Sequence, residues 1–256
     1  MNFEDILYEV KDRVATITIN RPAVHNAFRL KTIDELIQAF DRADDDAAVR
    51  VVILTGAGDK AFSTGGDVDM ESEFDGKAGR HVARVLIRLA EAIRGTGKPV
   101  IAKVRGWCVG GGNELNLLCD LSVATRLSRF AHTDGRLGNS PIWYATQLLP
   151  MHMSDKRARE VVMLGKTYTA EDAERLGWIN EVVDDDKLDD KVNEWCQRLL
   201  LSSPQSLRLS KVSMNQMSDM MLSSVRQGFE TLAYIHDTDE FHEGTAAFLE
   251  KRLPKF

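Results

Sequence analysis

The chain has 256 residues, enough for one large domain or a core with a small appendage, and 43% of them are hydrophobic, which supplies a buried core. A net charge of −6 argues against a generic nucleic-acid or anionic-membrane binder. Cys108, Cys119 and Cys196 show neither a CxxC pair nor metal-ligand spacing, so they read as reduced core thiols and no metal site is expected. With no apolar run of about 18 residues and no basic-then-apolar leader, a soluble cytoplasmic protein is expected, with no membrane partner.

Residues 3–20 alternate apolar and polar, which predicts a β-hairpin turning at Lys11–Arg13 and ending at Arg21-Pro22. Leu30, Ile33, Leu36, Ile37 and Phe40 fall on one face of a helix predicted over Leu30–Ala43. A buried-type strand, Val49–Thr55, precedes the glycine-broken GAGDKAFSTGGD. A second amphipathic helix is predicted over Val82–Ile93, and a third buried strand over Pro99–Val104. Short strands are expected at Asp120–Ala124 and Arg129–His132. Strands alternating with helices indicate βα units with parallel pairing. From Ser154 the pattern is almost wholly helical, with turns at Gly165 and Gly177. Residues 1–200 read as the core, and 201–256 as a helical region in which Met217, Met220, Met221 and Leu222 exceed what one buried face needs. That surplus fits either packing within the chain or packing on a neighbour.

The stretch Val104–Asp120, VRGWCVGGGNELNLLCD, organises the rest. Gly110, Gly111 and Gly112 stand between a strand-like run and a helix-like one, so the backbone can turn sharply and a ligand can approach main-chain N–H groups. Those groups lie at a helix N-terminus, where unpaired donors and the helix dipole favour negative charge, a phosphate or a developing oxyanion. Glu114 follows at once, in a first turn otherwise apolar. Two readings stand: a carboxylate complementing the helix end, or a partly buried acid with a raised pKa. Gly65 and Gly66 in KAFSTGGD make a second tight turn whose free N–H groups could face the first.

VRGWCVGGGNELNLLCDLSVA resembles the signature of the crotonase superfamily, the enoyl-CoA hydratase/isomerase family. Arg21-Pro22…Asn26-Ala27, KAFSTGGD (Lys60–Asp67) and TAEDAERLGWINEVV (Thr169–Val183) are similar to further blocks of that family, in its order and at its spacing. The resemblance implies an α/β fold, a spiral of ββα repeats whose C-terminal helices form a trimerisation region. It implies homotrimers, commonly paired into hexamers, and an acyl-CoA thioester as substrate, with no cofactor beyond that coenzyme A. The N–H groups of Gly66 and Gly111 would form the oxyanion hole for the thioester carbonyl. Glu114 matches the first of two catalytic glutamates, while Asp134 stands where the second is expected, shortened by one methylene. Asp134-Gly135 is also a good turn dipeptide. For binding CoA and substrate, the resemblance points to main-chain groups at Asn26 and Ala27 and around Phe62, Thr64 and Asp67, to Gly110, and, for the phosphates, to Arg21 and to Lys251 or Lys255 from a neighbouring subunit. Trp143 and Tyr144 replace a small, glycine-rich stretch and would reshape the acyl pocket. His132, two residues before Asp134, could orient that carboxylate.

The flanks, DTDEFHEGTAAFLEKRLPKF above all, are similar to the branch containing naphthoate synthase and 2-ketocyclohexanecarboxyl-CoA hydrolase. Proteins of that branch lack the first glutamate, and this chain keeps it. Hydration of a 2-enoyl-CoA, a lyase reaction, is therefore expected, with Glu114 mainly as base and Asp134 as proton donor. Double-bond isomerisation and hydrolytic C–C cleavage of a cyclic β-keto acyl-CoA are the alternatives. Arg80, Arg84 and Arg88 share a helix face, but three arginines without interleaved aromatics make a poor nucleic-acid footprint.

Overall fold

The computed structural model describes residues 3–256. Strand β1 (Ile6–Lys11) pairs antiparallel with β2 (Val14–Ile19), as the alternation predicts. Both turn residues, Asp12 and Arg13, have left-handed backbones (φ 49° and 68°). Such a two-residue turn matches the right-handed twist of the strands. Helix α1 (Leu30–Asp45) then buries Ile33, Leu36, Ile37 and Phe40.

The chain next repeats one unit three times: a strand in a large sheet, a corner, a short strand in a small sheet, and a helix. The first unit is β3 (Val51–Gly56), β4 (Ala61–Ser63), the single turn α2 (Val68–Glu71) and α3 (Gly76–Gly95). The second is β5 (Val100–Val104), β6 (Trp107–Val109) and α4 (Gly111–Leu118). The third is β7 (Leu121–Thr125), β8 (Arg129–Ala131), α5 (Ala145–His152) and α6 (Asp155–Leu164). This is the ββα spiral that the resemblance implies. The corner at Gly106 shows why the units nest closely. Its φ is 72°, and a Cβ there would sit 2.1 Å from the Lys60 carbonyl oxygen.

Three elements close the two sheets: β9 (Tyr168–Thr169), α7 (Ala170–Leu176) and β10 (Glu181–Val183). The large sheet runs β1-β2-β3-β5-β7-β10 and the small one β4-β6-β8-β9. Strands β9 and β10 correct the helical reading after Ser154. They are two and three residues long, too short for any periodicity, and pairing with β8 and β7 creates them. Central strands of the large sheet are buried on both faces: Val52, Leu54, Val100 and Ala102 meet the main core, while Val51, Ile101 and Val123 meet α8 (Leu188–Leu200).

Helix α3 starts six residues before the prediction, capped by Asp75, whose carboxylate accepts the Ala78 N–H at 2.7 Å. Its first turns, GKAGRH, lack large apolar residues because they pack by close approach instead. A Cβ on Gly76 would meet the Ala233 carbonyl at 2.9 Å, in α10 (Leu222–Ile235). Between α8 and α10 lies α9 (Pro204–Asp219), pinned by the buried Lys211 ammonium, which donates to the carbonyls of Ile93 and Lys98 and to Asp120. The remainder of α9 leaves Leu209, Val212, Met214 and Met217 exposed, and Met220 follows them. The last helix, α11 (Asp239–Leu249), packs on the turn after β8, where Gly244 approaches the Leu137 backbone too closely for any side chain. All three cysteines are free, with Cys108 and Cys196 buried. No helix of the described residues is long and apolar enough to cross a membrane.

Candidate active site

The two glycine turns meet. A Cβ on Gly111 would lie 3.3 Å from the Gly65 Cα and 2.7 Å from the Phe28 ring, so the loop before α2 and the start of α4 touch backbone to backbone. Gly110 makes the turn with φ 52° and ψ −125°, a conformation open to glycine alone. Hydrogen bonds tie the strands around them: Phe28 donates to the Gly65 carbonyl at 2.8 Å and Asp67 to the Phe28 carbonyl at 3.0 Å. Among the described residues, the N–H groups of Gly66 and Gly111 find no protein acceptor. Both glycines line a cavity of about 440 Å³. Two unpaired donors on one cavity wall suit an oxygen that gains negative charge.

Glu114 lines the same cavity from the first turn of α4 and is only 5% exposed. It does not cap its own helix; its Oε1 instead lies 3.4 Å from the Ala145 N–H at the start of α5. Burial pushes its pKa well above the carboxylate range, and the Asp134 charge pushes it further.

Asp134 opens a 3-10 turn (Asp134–Leu137) and also lines the cavity, so the turn and the cavity-facing placement coexist. Its Oδ2 stands 3.4 Å from Nδ1 of His132, a ring 1% exposed and stacked on Trp178. Nδ2 of Asn113 lies 2.9 Å from the other ring nitrogen, Nε2. Asn116 donates to Asn113 Oδ1, so the amide donates to Nε2 and the ring proton sits on Nδ1, facing Asp134. Neither Nδ1 nor Oδ2 forms an aligned hydrogen bond, so the pair interacts mainly by charge and dipole.

The family model described as Enoyl-CoA hydratase/isomerase matches residues 9–256. The chain belongs to the enoyl-CoA hydratase/isomerase family. An enoyl-CoA hydratase from Mycobacterium avium subsp. paratuberculosis K-10 superposes with a TM-score of 0.91 at 26% identity, covering 100% of this chain and 99% of that one. One from Bacillus anthracis gives 0.81 at 30% identity, covering 99% of both chains. An enoyl-CoA hydratase/isomerase from Xanthobacter autotrophicus Py2 gives 0.88 at 30% identity, covering 99% of this chain and 100% of that one. As a member of this family, the protein is an enzyme of the crotonase superfamily.

The residues that the resemblance assigns to CoA and substrate divide into two groups in this member of the family. Ala27, Thr64, Asp67, Gly110 and Trp143 line the cavity. Arg21, Asn26, Phe62 and Lys251 do not. Arg21 is no free cation for a phosphate: its Nη1 donates to the Ala27 carbonyl at 2.5 Å and to Asp67 at 2.9 Å, tying the first loop to the Gly66 turn. The Asn26 side chain is spent on the Arg21 N–H and on the carbonyls of Ala57 and Ala61. Phe62 is fully buried in the core. Lys251 is exposed just past α11, two residues beyond Leu249, which borders the cavity of its own chain. Of the two aromatic residues before α5, only Trp143 borders the cavity. Its Nε1 donates to the Leu86 carbonyl at 2.9 Å and its ring meets Phe28 edge-on. Tyr144 turns away under the Arg94 guanidinium, on a left-handed backbone with φ 72°.

The structure adds an acid that the sequence reading did not single out. Glu71, the last residue of α2, lines the cavity beside Gly66, so close that a Cβ on Gly66 would be 1.8 Å from its Oε1. Burial, and then the charges of Asp134 and Asp67, raise its pKa to about 8. Helical spacing held the signal: Val68, Glu71 and Phe74 fall three residues apart, and all three line the cavity.

Proposed function

We propose that this enzyme adds water across the 2,3 double bond of a 2-enoyl-CoA thioester. The observation that carries this reading is the convergence of Glu114 and Asp134 on one cavity with the unpaired N–H groups of Gly66 and Gly111. The thioester oxygen accepts both N–H groups, which stabilises the enolate that forms as water attacks carbon 3; one such donor is worth about 3–4 kcal/mol of barrier.

The raised pKa of Glu114 supports exchanging the two roles expected from the sequence. Glu114, its pKa raised, is the acid that delivers a proton to carbon 2, while Asp134, oriented by the His132 Nδ1–H, takes a proton from the attacking water. After the addition the product carries the hydroxyl at carbon 3, Glu114 is a carboxylate and Asp134 is protonated. Proton exchange between them through solvent restores the starting state.

The exposed apolar residues of α9 support assembly into the trimer or hexamer expected for such an enzyme, because a lone chain would leave Met214 76% and Leu209 69% exposed on one helix. Coenzyme A, as part of the substrate, is the only cofactor this chemistry needs.

Mass spectrometry of the products from a panel of 2-enoyl-CoA and cyclic 2-keto acyl-CoA thioesters in oxygen-labelled water tests the proposal. Wild type should give labelled 3-hydroxyacyl-CoA, with Glu114→Gln and Asp134→Asn each slower by about a hundredfold or more. Movement of the double bond without label uptake would establish an isomerase instead. Ring opening of a cyclic 2-keto thioester, with no hydration, would establish C–C hydrolysis.

A further inference from the structure

The acyl side of the cavity is not purely hydrocarbon. Its wall from α2, α3 and α10 carries Phe74, Val82 and Leu232, but also two polar side chains that hydration does not use, Glu71 and His236. Glu71 reaches in beside Gly66, at the thioester end, and no protein hydrogen bond to its carboxyl is found among the described residues. His236 is 5% exposed, and its Nδ1 has no hydrogen-bond partner. Its ring packs against Phe74 and Phe241 and fills the space that Gly79, itself a cavity-lining residue, leaves by having no side chain. That Nδ1 lies against Gly79 and not on the open cavity, so Glu71 is the polar group that a ligand meets directly.

We propose that Glu71 and His236 form a polar wall that selects acyl groups carrying a hydroxyl or keto oxygen beyond carbon 3, against plain hydrocarbon chains. The inference rests on the reading of this cavity as the acyl-CoA site. Glu71, held as the neutral acid at pH 7, both donates and accepts, and so pairs with a hydroxyl or a carbonyl. His236 borders the same wall with its ring; burial lowers its pKa, opposed by Asp237 beside it. A wall of this kind rejects an analogue lacking the oxygen, because the protein groups then lose water and gain nothing. A third carboxylate facing Asp134 would, if ionised, also repel the enolate, so a neutral hydrogen-bonding role agrees with the proposed chemistry.

The test is binding of matched saturated thioesters that cannot be hydrated: hexanoyl-CoA against 4-, 5- and 6-hydroxyhexanoyl-CoA, by calorimetry at pH 7. Wild type should bind at least one hydroxy thioester about tenfold tighter than hexanoyl-CoA. Glu71→Leu should bring that ratio close to one, Glu71→Gln should keep most of it, and His236→Phe should lower it. Equal binding of all four by wild type overturns the inference, whatever the variants do. Tighter binding of 5-aminohexanoyl-CoA than of the hydroxy compounds also overturns it, since Glu71 would then act as an anion. Hydration of 2-hexenoyl-CoA, assayed alongside, separates the two claims. Hydration with no hydroxyl preference sinks the inference alone, whereas a preference without hydration sinks the hydratase reading and leaves the polar wall standing.

Discussion

The backbone side of the cavity, made by the turns at Gly66 and Gly111, and its carboxyl side, made by Glu71, Glu114 and Asp134, are held in place by different forces. On the backbone side nothing can move far. Gly65, Gly111 and Gly112 touch neighbouring main chain or the Phe28 ring at distances that exclude even a methyl group. Geometry there is set by sterics, and the unpaired N–H groups point where the chain forces them. On the carboxyl side, position and charge depend on one another. Burial raises the pKa of both Glu71 and Glu114, and the Asp134 charge raises each further. The backbone half thus supplies a fixed electrostatic template, and on the carboxyl half Glu114 and Asp134 move the protons while Glu71 stands beside them.

A glycine exchange on each side breaks the comparison most directly. A Cβ at Gly112 would be 2.2 Å from the Ser63 carbonyl oxygen, backbone against backbone between α4 and β4. Gly112→Ala should therefore destabilise the fold by about 3 kcal/mol, a fall in Tm of roughly 6–12 °C. Gly135, one residue past Asp134, has nothing within 4 Å of its would-be Cβ. Gly135→Ala should stay within about 0.5 kcal/mol of wild type. Melting curves of the two variants decide it: equal losses would show that the glycine turns are no more constrained than the carboxyl side.

The next effect is smaller and depends on pH. Glu71 titrates near 8 in the folded protein and near its ordinary value of 4.5 when unfolded. Below that lower value both states hold the proton and Glu71 has no effect. As pH rises towards 8 the unfolded chain releases its proton while the folded one keeps it, so stability falls; above 8 both are ionised and the loss is constant. Glu71→Gln should therefore match wild type near pH 4 and exceed it at pH 8 by about 2 kcal/mol or more, read from urea midpoints. A constant difference across that range would mean that Glu71 is ionised in the folded state, contrary to its environment.

How much of this was readable in advance follows the same division. The hairpin at Asp12-Arg13, α1 and the triple-glycine turn rest on local rules, namely alternation, helical spacing and glycine-only backbones, so the sequence declares them. Strand β10 exists only because β7 offers it an edge, and α3 starts early because α10 accepts its glycines; both are tertiary effects with no local trace. Arg21 illustrates the limit for the site. A basic residue beside a binding loop suggests a phosphate, yet the partners of its Nη1, Asp67 and the Ala27 carbonyl, come from folding and leave no local trace. Glu114 was visible as a residue, but the choice between a helix-end carboxylate and an acid of raised pKa was open, since it depends on burial, Asp134 and Ala145 together. Glu71 fell between the two cases: its spacing with Val68 and Phe74 was legible, but a four-residue helix gives periodicity little to work on.

The smallest expected effect concerns how the carboxyl side is aimed. His132 touches no substrate; it acts through Asp134, presenting Nδ1–H at 3.4 Å while Asn113 fixes the tautomer from the other side. His132→Phe keeps the flat ring against Trp178 and removes the dipole facing Asp134. If the imidazole positions the carboxylate for the attacking water, kcat should fall about tenfold, equivalent to roughly 1.4 kcal/mol of barrier, while KM stays within about twofold. His132→Gln, whose amide can still donate towards Asp134, should recover part of kcat. Loss of stability without this split between kcat and KM would leave the histidine a packing residue, and the aim of Asp134 would then come from its 3-10 turn alone.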